Sequence, residues 1–140
     1  MLRALQITAM SLVLLTGTAS ADDISRVLAV RIYPKDKVVF AYRWFTHGRE
    51  LICVLSRPTN YRYGSDNEAD NIQHFTIYDV SSSAPKAIYK DDISAAIASV
   101  GSLKGQLDIK ILGGAANHIR RYSYVGSRIV ASLQLSDEAK

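Results

Sequence analysis

The stretch "TNYRYGSDNEADN" (59–71) gathers the residues best able to do chemistry in this 140-residue chain. Asp66, Glu68 and Asp70 stand at every second position, the alternation with which calcium loops present oxygen ligands. A hard cation also wants a glycine at the sharp turn and a bidentate Glu to close the loop. Here Gly64 precedes the acids, Asn71 stands where the pattern wants Gly, and His74, Phe75 and Thr76 follow where the closing Glu belongs. The three acids are therefore weak metal candidates, better read as a solvated tether. The other half, Tyr61-Arg62-Tyr63, has a different character. Tyr and Arg give large contact area at modest entropic cost and are enriched at protein interfaces.

The Tyr/Arg pairing returns at Tyr42-Arg43 and in "RRYSY" (120–124), where a period of two places Arg120, Tyr122 and Tyr124 on one face. Tyr61, Arg62, Tyr63, Arg120, Tyr122 and Tyr124 form the expected partner-binding set. The same side chains suit sugar rings by stacking, and phosphate or carboxylate by charge-assisted hydrogen bonds. Tyr is also a good strand former, so an Arg/Tyr face is equally what the wet side of a sheet looks like.

Other constellations are thin. His47, His74 and His118 share no H-x-H or H-x-x-x-H spacing, and Cys53 is the only thiol; zinc would need ligands drawn from distant segments. No serine lies in G-x-S-x-G; "YGSD" and "VGSR" read as turns. "ILGGAANH" (111–118) has a glycine pair after a strand but neither phosphate-cradling pattern. No catalytic residue and no cofactor are assigned. A hydrolase whose site is assembled across strands is the enzymatic alternative.

These residues must be carried by strands, because the dominant hydrophobic period is two. "SRVLAVRIY" (25–33) reads as a first strand. "DKVVFAYRWF" (36–45) is apolar on both faces, as expected of a central strand, and turns through "THGR" into "ELICVLS" (50–56). "NIQHFTIYDV" (71–80), "KAIYK" (86–90), "QLDIKIL" (106–112), "IRRYSYV" (119–125) and "RIVASLQL" (128–135) continue the series, and the final five residues read as a frayed end. One segment departs from it. In "DDISAAIASVGSLKG", Ile93, Ala96, Ile97 and Val100 fall at i, i+3, i+4 and i+7, which predicts a short α-helix over about 92–103. The expectation is a mainly β fold, a small antiparallel β-sandwich or barrel of about seven to eight strands with that one helix.

The first 21 residues read as an export signal: Arg3, an apolar run without charge, then Ala19-Ser20-Ala21. The run is too short to span a bilayer, which takes roughly 20 residues. Cleavage before Asp22 leaves 22–140 as one domain, with no transmembrane segment expected. Removing Arg3 leaves 16 of the 17 basic residues against 13 acidic ones, a net charge of +3. That is ordinary solubility, with no mandate for nucleic acid. A lone cysteine excludes an internal disulfide, so the core must hold the fold. The class these features point to is a small binding protein of the bacterial periplasm, or otherwise secreted. Its partner would be another envelope or secreted protein, met as an inhibitor, immunity-type or adaptor protein acting by surface occlusion. Glycan or anionic headgroup binding is the alternative.

Overall fold

The computed structural model describes residues 21–82, 84–112 and 117–135. The expected signal up to residue 20, the Gly113-Gly114 connection and the expected frayed final five residues lie outside the described residues. A helix, α1 (Ala21–Val30), comes first. Eight strands follow: β1 (Lys37–Thr46), β2 (Arg49–Arg57), β3 (Gln73–Asp79), β4 (Lys86–Ile93), β5 (Ala96–Leu103), β6 (Gln106–Leu112), β7 (His118–Val125) and β8 (Arg128–Leu135). They form two antiparallel meanders of four, β1-β2-β3-β4 and β5-β6-β7-β8. The sheets do not close into a barrel, so the mainly β architecture is a sandwich.

Three of the hairpins use two-residue turns: His47-Gly48, Lys104-Gly105 and Gly126-Ser127. All six residues have positive φ, which is what a type I′ turn demands at both central positions. At Gly105 the positive φ alone selects glycine, since a Cβ there would meet Thr46 Oγ1 at an ordinary 3.5 Å; the Gly105 carbonyl accepts the Trp44 indole N–H at 3.2 Å.

Alternation sends Trp44, Leu51, Cys53, Leu55, Phe75 and Ile77 from the first sheet towards Leu107, Ile109, Ile111, Tyr122 and Ile129 of the second. Each such side chain stabilises the fold by about 1.5–3 kcal/mol when fully buried. The outer face of the first sheet is apolar too: Ala41, Ile52, Val54, Tyr78 and Val80 pack against Ile24, Val27 and Leu28 of α1. The molecule is therefore helix on sheet on sheet. Arg43 fastens α1 to the sheet by reaching Glu50 (2.9 Å) and Asp23 (3.5 Å). Burial and the neighbouring Asp23 carboxylate push the Glu50 carboxyl above its ordinary value, against the pull of Arg43.

Three expectations are corrected. The expected first strand, 25–33, is largely α1: Ile24, Val27 and Leu28 fall at i, i+3 and i+4, and the outer apolar face of the sheet claims them. The expected helix over 92–103 is the end of β4 and all of β5. Its i+4 step, Ile93 to Ile97, runs from the last residue of β4 into β5, and both side chains pack on the inner core. Its i+3 step, Ile97 to Val100, arises because a bulge leaves Ala98 unpaired between Ile97 and Ser99 and shifts the phase by one residue. Finally, "DKVVFAYRWF" is not central. β1 is an edge strand, apolar on both faces because the second sheet covers one and α1 the other. A bulge at Val39 sends Val38 to the helix side while Val39 and Phe40 pack on the inner core.

Candidate functional site

The loop from β2 to β3 is built by its own polar groups. Arg62 N–H donates to the Asp70 carbonyl at 2.6 Å. The Asn71 amide accepts from Ser65 N–H (3.2 Å) and donates to the Ser65 carbonyl (2.8 Å). A single 3-10 turn, Glu68–Asn71, then enters β3. Arg57, the last residue of β2, lays its guanidinium 4.6 Å from the centre of the Tyr61 ring and donates to Gln73 Oε1 at 3.0 Å. Tyr61 is thereby held half-buried, while Arg62 is exposed and Tyr63 is 75% exposed.

The acids of this loop take local roles. Asp70 Oδ2 accepts the Ser65 hydroxyl at 3.3 Å, Asp66 is exposed, and the side chain of Glu68 lies outside the described residues. Among the described residues no three His, Cys, Asp or Glu side chains gather as a metal would require.

The second expected set is corrected in part. Arg120, Tyr122 and Tyr124 do share a face, but it is the inner face of the second sheet. Tyr122 is completely buried, its ring tilted against Phe75 (5.2 Å) and edge-on to Tyr89 (5.6 Å), so it offers no surface to a partner. Its hydroxyl donates to Asp91 Oδ2 at 3.0 Å, and Arg120 donates to the same oxygen at 3.0 Å. Burial, then the Asp91 carboxylate, push the Tyr122 hydroxyl far above its ordinary value. The cleft that Tyr124 lines and the cavity that Tyr61 and Tyr63 line share no residue.

Tyr124 instead lines a polar cleft of about 490 Å³ with His47, Arg49, Asp79, Lys86, Ile88 and the turn residue Ser127. Arg49 pairs with Asp79. Burial raises the Asp79 carboxyl, but hydrogen bonds from the Ser81 amide and hydroxyl and the Arg49 charge outweigh it and hold it below its ordinary value. A second, more apolar groove of about 430 Å³ runs between the edge strands β1 and β5.

One constellation escaped the sequence reading because its members are 18 to 38 positions apart. Asp36, Ser56 and His74 meet on the outer face of the first sheet. Ser56 donates to Asp36 Oδ2 at 2.8 Å, and His74 Nδ1 lies 2.7 Å from the same oxygen. A nucleophilic triad places the imidazole between hydroxyl and acid; here the acid is in the middle and Ser56 is buried. Tyr33 stacks on His74 at 3.7 Å, so the cluster clasps the segment after α1 to β2 and β3. Also missed were the apolar side chains that β8 exposes, Val130 and Leu133. Their signal was present: "IVASLQL" has no charge after Arg128.

No known protein family's profile matches this chain, and a search of curated proteins returns no relative.

Proposed function

We propose that this is an exported binding protein that engages another envelope or secreted protein through the Tyr61–Tyr63 loop, acting as an inhibitor, immunity-type or adaptor protein by occluding its partner's surface. The carrying observation is Tyr63. It exposes 75% of its surface on a loop whose backbone is pinned at Arg62 and at Ser65, the latter by the Asn71 side-chain amide. A pre-ordered aromatic loses little entropy on binding, and Tyr and Arg dominate interface energetics. Export rests on the first 21 residues. The test is recovery of a partner from the native envelope, at fixed stoichiometry, by the wild-type protein and by Arg62→Ala and Tyr63→Ala. Truncating a hot-spot residue weakens binding by about 2 kcal/mol or more, roughly thirtyfold. Recovery unchanged in both variants defeats the proposal.

A second reading, binding of an envelope glycan or anionic headgroup, is favoured by the polar cleft at Tyr124. Lys86, which has no ion-pair partner among the described residues, faces it together with Arg49 and His47. Retention on lipopolysaccharide or peptidoglycan that Lys86→Ala abolishes would move the function to that cleft.

A further inference from the structure

The apolar groove between β1 and β5 is where the sandwich fails to close. Its lips are the two edge strands, and each carries a bulge there. The two residues left out of register, Val39 and Ala98, both line the groove. Bulges re-aim side chains and recur beside binding sites. Phe40, Ile97 and Val100 also line it and rest half-buried on the main core, with Leu55 as floor. At the end where β2 leaves the sheet stands Arg57. Its guanidinium touches Gln73 and Tyr61 but no carboxylate among the described residues. Strand register sets Lys37 directly opposite Arg57, and Lys37 too has no acidic partner among the described residues. Like charges directly across an antiparallel pair are destabilising. An unneutralised guanidinium lining an open apolar trough, with a second cation across the ladder from it, is complementary to one kind of guest: an aliphatic chain with an anionic end.

We propose that the β1–β5 groove binds the acyl chain of a fatty acid, with its carboxylate on Arg57. A cavity of this size is within the range for small ligands, and an apolar lining with a few polar groups fixing orientation is the usual construction. The guanidinium fork matches a carboxylate geometrically. None of Tyr61, Arg62 and Tyr63 lines the groove, although Arg57 touches the Tyr61 ring; titration reads the groove directly, apart from partner recovery by the loop.

The test is calorimetric titration of the full chain with sodium dodecanoate, sodium decanoate, acetate and dodecyltrimethylammonium, below their micelle concentrations. One dodecanoate binds per chain. Decanoate, two methylenes shorter, binds about fifteenfold more weakly, and acetate and the cationic amphiphile bind far more weakly. Arg57→Gln weakens dodecanoate about tenfold or more. Ala98→Phe, which fills the groove from an exposed position and spares the core, abolishes binding with an unchanged melting temperature. No dodecanoate binding, equal binding of the two head-group charges, or full binding by Ala98→Phe overturns the proposal. If Arg57→Gln does not fold, charge discrimination by the native protein and the Ala98→Phe result decide it.

Discussion

Replacing Tyr122 by Phe removes one oxygen from the middle of the core and leaves the ring contacts with Phe75 and Tyr89 in place. The lost interaction is the hydroxyl's bond to the Asp91 carboxylate. A hydrogen bond to a charged acceptor contributes about 1.5–3 kcal/mol. Asp91 keeps its bond from Arg120, and its side chain is 26% exposed, so water offsets part of the loss. The lower end applies, about 1.5 kcal/mol. For a domain of this size that lowers the melting temperature by about 5–7 °C. Urea denaturation at pH 7 measures it directly, with the midpoint falling and the m-value constant. Tyr122→Ala, which also empties the ring's volume, costs about 3–5 kcal/mol, a large share of the roughly 5–15 kcal/mol that holds a domain together. The binding assay separates structure from recognition: Tyr122→Phe leaves partner recovery unchanged while Tyr63→Ala reduces it. A Phe variant as stable as wild type would refute the inner-face placement of this strand.

Other expectations rest on separate elements. Cys53 is wholly buried and burial pushes its thiol far above the ordinary value, so a thiol reagent labels it only with denaturant present; prompt labelling of native protein would contradict the core described above. The carboxyl of Asp79 is held low in the fold, so its contribution is complete above the unfolded value of about 3.9 and is lost as pH falls through the lower folded one. Asp79→Asn should therefore flatten the fall in stability below about pH 4, measured by denaturation between about pH 2 and 5; an acid limb as steep as wild type argues against the Arg49 and Ser81 contacts. Ile24→Ala cuts the seam between α1 and the outer sheet face and costs about 2 kcal/mol, the low end for such a truncation because an outer layer can relax. A change within about 0.5 kcal/mol would show that α1 is not packed there.

The parts of the fold legible in the sequence are those where one period ran undisturbed. In "QLDIKIL", Leu107, Ile109 and Ile111 alternate with Asp108 and Lys110, and all three are buried. "THGR" and "VGSR" announced their hairpins because a residue able to take positive φ stood at the turn. "SLKG" carried the same message at Lys104-Gly105, but the i+3 step created by the Ala98 bulge made the segment look helical and masked it. For α1 the competing pattern was real: 25–33 alternates as well, and only the need to cover Ala41, Ile52 and Val54 selects the helix. The face shared by Arg120, Tyr122 and Tyr124 was legible from spacing. Which way it points was not, because that depends on strand β4 bringing Tyr89 and Asp91 over it, a pairing between segments about 30 residues apart. In the β2–β3 loop Arg62 and Tyr63 face solvent, while Tyr61 is held by Arg57, a contact that no local pattern signals.

Every ladder in this sandwich joins strands that are neighbours in sequence, and along the chain the first meander passes into the second through Ser94 and Ala95. A chain made from its N-terminus therefore has β1 to β4 in hand by Ile93, before any of its second sheet exists. Until residues 96–135 follow, Trp44, Phe75 and Ile77 have nothing to cover them. The first sheet is thus born competent but with one sticky side, and its solubility depends on how fast the remaining third of the chain arrives. Pausing or truncation after Ile93 yields an aggregating fragment, not a smaller stable domain.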